Sequence, residues 1–175
     1  METGTSHTGP LDAGNKLVDF ELRAVDGKTY SSKAARGQGL LLAVLFKVGC
    51  GTCQYTLPFL ERFYQQYALP SSGKFQVWGI SQDTAEDTLT CARENGNVTL
   101  PLLLDSDLQV SVHYGPTNVP DLYLLGAGDT IQSAVLGHFG KDEFNALAQQ
   151  IAAFVGVPYV PIVRDEDDAP AIKPG

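Results

Sequence analysis

Two of the three cysteines in the chain, Cys50 and Cys53, stand two residues apart in the stretch "LLAVLFKVGCGTCQYTLPFLERFYQQY". That spacing suits thiol–disulfide exchange, which needs an accessible thiolate and a second thiol near enough to attack the mixed disulfide before the partner lingers. A continuously apolar run, Leu40–Phe46, comes before the pair, and Leu57, Leu60, Phe63, Tyr64 and Tyr67 recur at helical spacing after it. The motif is therefore expected between a strand buried on both faces and the first turn of a helix. Unpaired backbone N–H groups and the positive end of the helix dipole favour an anion there. This assigns Cys50 as the attacking thiolate and Cys53, one turn in, as the resolving thiol, with Gly51 and Thr52 shaping the turn between them.

Other uses of these cysteines fit less well. A zinc ribbon needs four ligands, and the remaining candidates, Cys91, His7, His113 and His138, have no zinc-like spacing, so no metal and no bound cofactor are expected. A purely structural disulfide suits a secreted, cysteine-dense scaffold better than this chain. Cys91 has Leu89 and Ala92 for neighbours and reads as a small buried hydrophobe on a helix face turned to the sheet. His113 and His138 read as packed or surface groups, and Lys47 as a cation close in sequence to Cys50.

The rest of the chain supplies the frame. Its 175 residues and 43% hydrophobic content are enough for one domain with a proper core. A net charge of -8, with the 12 Lys and Arg scattered, argues against nucleic acid and anionic membranes as partners. The opening "METGTSHTGPLDAG" shows neither a basic nor an apolar signal segment, from which a soluble, cytoplasmic protein is expected. Residues 1–15 read as a flexible leader, 16–158 as the folded domain and 159–175 as an acidic, Pro-rich tail in solvent. Within the domain, "LVDFEL" at 17–22 reads as a first strand, with a hairpin turn at Asp26-Gly27. Further strands are expected at 40–46, 75–81, 100–104, 122–125 and 130–135, and helices after the motif, behind "GISQD" with an Asn95-Gly96 stop, at 107–113 and at 141–154. That order predicts an α/β fold with a mixed central sheet.

With these pieces in place the chain resembles the thioredoxin superfamily, most closely its redoxin branch, the AhpC/TSA and TlpA-like or ResA-like thiol–disulfide oxidoreductases. The resemblance spans roughly residues 17–155. It rests on the strand and CxxC, on Pro58 five residues after Cys53, and on "LPLLLDSDLQVSVHYGPTNVPDLYLL", which looks like the family's inserted strand and helix followed by a proline before a strand. It implies a thioredoxin-like fold in which helices flank the mixed sheet, with an N-terminal β-hairpin. It further implies that Pro120 is cis and lies beside Cys50, and that the Val119 backbone is free to pair with a substrate strand. The implied activity is thiol–disulfide exchange on protein or small-molecule disulfides, supplied by an upstream thiol reductant.

The departures are specific. Gly49 replaces the usual aromatic residue before the first cysteine. Val44 and Thr56 stand where related proteins carry a buried acid, so proton transfer to or from Cys53 would use water. A rival reading is a thiol peroxidase with Cys91 as resolving cysteine. Its PxxxTxxC pattern, registered on Cys53, would need threonine at Cys50 and proline at Phe46, and no arginine occurs between Arg93 and Arg164. A third reading is a non-catalytic redox-sensing or binding module.

Overall fold

The computed structural model describes residues 9–175. A five-stranded sheet forms its centre, in the order β5-β4-β3-β6-β7. Strands β3 (Leu40–Phe46), β4 (Phe75–Ser81) and β5 (Leu102–Leu104) run parallel, and β6 (Asp121–Leu125) and β7 (Ile131–Leu136) run antiparallel to their neighbours. The sheet is mixed, as the element order predicts. All seven residues of β3 are buried, which the unbroken apolar run requires of a central strand covered on both faces.

Helix α2 (Gly51–Phe63) turns Cys53, Leu57, Leu60 and Phe63 inward and continues into a π-helical turn at Tyr64–Ala68. Pro58 lies inside it, and Gly96, at φ 95°, lets the chain pass close to the Pro58 ring. Helix α3 (Ala85–Glu94) starts at Thr84, whose hydroxyl accepts the Asp87 amide at 3.1 Å. Helix α4 (Gln109–Tyr114) follows β5, and helix α5 (Lys141–Val155) starts directly after the short strand β8 (His138–Gly140). Among the described residues no helix is long and apolar enough to cross a membrane.

The N-terminal hairpin is present as β1 (Glu21–Arg23) and β2 (Thr29–Ser31) around Asp26-Gly27, so the first strand begins later than residue 17. Residues before it are drawn to the far edge of the sheet instead: Leu17 donates to Asp129 O at 2.9 Å, and Lys16 bridges Thr130. Residues 9–15, expected in the leader, are also tied down, with the Leu11 amide on Tyr114 O at 2.9 Å and the Gly14 amide on Ile131 O at 2.8 Å. Residues 1–8, and His7 with them, lie outside the described residues. A helix not expected from the sequence, α1 (Ser32–Gln38), is capped by the Ser31 hydroxyl on the Ala34 amide at 3.2 Å.

The largest difference concerns the segment 159–175, expected as a solvated tail. Ile162 and Val163 are buried, held by Asn145, whose Oδ1 accepts both of their amides at 2.9 Å. Arg62 grips Asp167 with two N–H groups at 2.6 and 2.7 Å and donates to Ile162 O at 2.8 Å. The final strand, β9 (Ile172–Pro174), then pairs antiparallel with β8 (His138–Gly140). Bidentate charge-assisted bonds and two buried aliphatic side chains outweigh the segment's Pro-rich, acidic composition.

Candidate active site

Helix α2 begins where β3 ends, and Cys50 is the residue at the join. Its backbone is extended (φ −91°, ψ 115°) and its sulfur accepts the Cys53 amide at 3.2 Å, so the thiol itself caps the helix. Cys50 is half-buried, whereas Cys53 is 1% exposed. Burial pushes the Cys53 thiol far up, and its hydrogen bond with Cys50 adds to the effect. All three cysteines are free thiols.

The loop ahead of Cys50 is fixed from below. The Val48 amide donates to Asp83 at 3.0 Å, and the Val48 carbonyl accepts Gln54 Nε2 at 2.7 Å. Cys91 Sγ lies 4.0 Å from that same carbonyl, with Asn95 Nδ2 at 3.6 Å from the sulfur. Cys91 is therefore a buried thiol under the loop, and burial raises its pKa. It does not share the opening that leads to Cys50.

The opposite wall is the loop before β6. The Val119–Pro120 peptide bond is cis, and Cys50 Sγ lies 3.5 Å from Val119 O. A cavity of about 420 Å³ opens here, with Cys50, Gly51, Thr52 and Val119 on its walls and Lys47, Gln82, Thr117 and Asn118 around them. The structure thus brings Cys50, Gly51, Thr52, Val119 and Pro120 together around one sulfur. It contradicts the expected freedom of Val119: Gly175 lies directly against the Val119 carbonyl, and a Cβ at that position would overlap it. Thr52 is also occupied, its hydroxyl donating to Pro174 O at 2.5 Å. Both corrections share one cause, the folded segment that composition alone assigns to solvent.

Neither of the two histidines among the described residues reaches the sulfurs. His138 Nε2 lies 2.5 Å from Glu143 and its Nδ1 2.9 Å from Leu136 O, and His113 is exposed. At the two positions where related proteins carry an acid, Val44 is fully buried and apolar, and Thr56 donates its hydroxyl to Thr52 O at 2.8 Å. Among the described residues no three His, Cys, Asp or Glu side chains group closely enough to hold a metal.

Asp121, which the sequence reading did not single out, follows the cis proline and is 1% exposed. Its Oδ1 accepts the Gly137 amide at 2.7 Å and its Oδ2 the Tyr123 hydroxyl at 3.3 Å. Burial pushes its carboxyl from 3.8 up to about 6, against the opposing pull of those two donors. The folded state therefore holds a proton that the unfolded chain has released once pH exceeds about 4. The resulting stabilisation is complete below that point and is lost as pH rises through about 6. At about 1.4 kcal/mol per unit, the stability of wild type relative to Asp121→Asn should fall by roughly 2–3 kcal/mol between pH 4 and pH 7. Asparagine keeps an oxygen for the Gly137 amide, so urea unfolding at the two pH values isolates the charge. Parallel stabilities for the two proteins would show that the Asp121 carboxylate is buried at no cost.

The sequence profile of the AhpC/TSA family matches residues 13–134, well over half of the chain. The chain belongs to the AhpC/TSA family. This AhpC/TSA chain is 25% identical over 136 residues to the thioredoxin-like protein YneN of Bacillus subtilis, covering 76% of each chain. It is 22% identical over 140 residues to the thiol–disulfide oxidoreductase ResA of Geobacillus thermodenitrificans, covering 79% of this chain and 77% of that one. Its fold superposes on the thioredoxin domain of a thiol–disulfide oxidoreductase from Bacteroides vulgatus with a TM-score of 0.67 at 21% identity, covering 81% of this chain and 99% of the other. The AhpC/TSA chain thus has a thioredoxin-like fold, with its CxxC at the strand-to-helix junction.

Proposed function

We propose that the protein is a thiol–disulfide oxidoreductase in which Cys50 attacks and Cys53 resolves. One observation carries this reading: a half-exposed sulfur at a helix start, with a buried, proton-retaining thiol one turn behind it. The Cys50 thiolate attacks one sulfur of a disulfide, forms a mixed disulfide and expels the other sulfur as a thiolate. Cys53 then loses its proton and attacks Cys50, closing the Cys50–Cys53 bond and releasing the second thiol. The substrate gains two electrons and the protein loses two. High protonation of Cys53 keeps it out of side reactions until Cys50 is engaged. Thr56 and Val44 offer no acid for its proton, which assigns that transfer to water.

The test is oxidation of the reduced protein by a small disulfide followed by mass mapping. A Cys50–Cys53 linkage with Cys91 free is expected. Linkage of Cys91 to either partner would overturn the assignment and favour a resolving role for Cys91.

A further inference from the structure

The strip of backbone beside Cys50 is occupied by residues 172–175 of the chain itself. Register fixes how they sit. The Lys141 amide donates to Ala171 O and the Gly175 amide to Gly137 O, both at 2.9 Å, so residues 171, 173 and 175 turn their hydrogen-bonding groups to β8. Pro174, which has no N–H, falls where a donor would face away from the ladder. Its carbonyl also faces away, and there it takes the Thr52 hydroxyl. Gly175 then meets the carbonyl of Val119 that also contacts the Cys50 sulfur. Only a residue without a side chain permits that approach. The segment is not loosely laid on, because Ile162, Val163 and the Arg62–Asp167 pair anchor it upstream.

What stays open is the cavity of about 420 Å³, a volume in the range of small-molecule sites. Lys47 and Lys173 stand on its wall with Gln82, Thr117 and Asn118, and among the described residues no acidic side chain does, although Gly175 lines it too and its carboxylate offsets one of the two lysine charges. Lys173 is held with its ammonium 5.8 Å from the centre of the Tyr55 ring.

From this arrangement we infer that the site takes low-molecular-weight disulfides with carboxylate-bearing arms, and that residues 172–175 exclude extended polypeptides by filling the strip beside Val119. The inference rests on the dithiol reading and narrows its substrate class. The exchange is the one written above: the small disulfide R–S–S–R is cleaved to two thiols, and the Cys50–Cys53 bond forms in its place. A polypeptide must wait for the strand to lift. If the lifted form is populated at roughly 10% or less, its apparent rate falls at least about tenfold. The lysines act on the other term by drawing anionic disulfides to the opening.

The experiment measures oxidation of the full reduced chain by glutathione disulfide, cystamine and insulin, each normalised to the rate of dithiothreitol with the same compound. It is repeated for a chain ending at Ala171 and for Lys173→Pro, which takes a donor out of the β8–β9 ladder without shortening the chain. For the full chain, glutathione disulfide should exceed cystamine by about tenfold and insulin by more. Both variants also lose Lys173, so the strand is read from insulin alone: its rate, normalised to dithiothreitol, should rise at least about tenfold in each. Lys47→Gln should lower the rate with glutathione disulfide and not that with cystamine. Should insulin compete equally in all chains, or cystamine be preferred by the full chain, the selectivity proposal is wrong while the dithiol chemistry stands. No oxidation by any of the three compounds would instead remove the dithiol reading itself. Single-tryptophan fluorescence from Trp78 checks that each variant is folded, and a variant that folds but leaves the insulin rate unchanged counts against the strand's role.

Discussion

Cys50→Ser is expected to reduce disulfide turnover by roughly a thousandfold or more, to the background set by the remaining buried thiols, whereas Cys53→Ser should stop turnover at a trapped intermediate. The two sulfurs differ by only three positions in sequence, but their surroundings differ in every respect that matters. Cys50 reaches the cavity and is held by the Cys53 amide and the Val119 carbonyl. Cys53 is sealed in the core, and burial disfavours its thiolate. A serine at 50 keeps an oxygen that can accept the Cys53 amide, so the helix start survives and the loss is chemical. A serine at 53 leaves Cys50 able to attack, and the mixed disulfide then has no resolving thiol. Mass analysis after quenching should find one equivalent of substrate thiol bound at Cys50. Substantial turnover in Cys53→Ser would mean that a second substrate thiol, or Cys91, resolves the intermediate.

The same contrast explains why the cysteine half of the candidate site was legible in the sequence. β3 and β4 are apolar because both of their faces are covered, and α2 shows a stripe because Leu57, Leu60 and Phe63 are all buried on one side of it. These are patterns within single elements, and they place the CxxC between them. The cis peptide bond at Pro120 entered only through the resemblance to redoxins, since nothing in "NVPDL" separates it from an ordinary turn.

The other half of the site depends on partners far apart in the chain. α1 has only Ser32 and Ala35 turned inward, so "SKAARGQ" carries no apolar stripe to read. β8 and β9 are three residues each and exist because they pair with one another. The Ile162–Val163 pair sits in a stretch dominated by proline and acids, and its anchors, Arg62 and Asn145, lie on α2 and α5. Composition speaks for that stretch when read alone, and three-dimensional packing reverses it. Asp121 left a fainter trace: an acid opening the otherwise apolar strand "DLYLL" is a residue whose burial is implied by its neighbours.

Phe139 joins these long-range pieces, and its removal should give the largest loss of stability of any substitution near the site. The side chain is fully buried at the centre of an aromatic cluster, with ring centroids 5.1 Å from Tyr55, 5.0 Å from Phe59 and 4.9 Å from Phe144. It therefore ties α2 just beyond the CxxC turn to α5, while its backbone pairs with Lys173 in β9. Truncation to alanine removes the transfer energy of a whole ring and leaves a cavity among Tyr55, Phe59 and Phe144. The expected cost is about 3–5 kcal/mol, out of the roughly 5–15 kcal/mol that holds a typical domain. At about 2–4 °C per kcal/mol for a chain of this size, the melting temperature should drop by roughly 6–20 °C. Phe139→Leu keeps most of the volume and should lose under about half as much. Phe154, on the exposed face of α5 and 52% accessible, is the control, and its alanine variant should shift stability by no more than about 0.5 kcal/mol. If Phe139→Ala proved as mild as Phe154→Ala, the aromatic cluster would not be what clamps α2 to α5, and β9 would need another anchor.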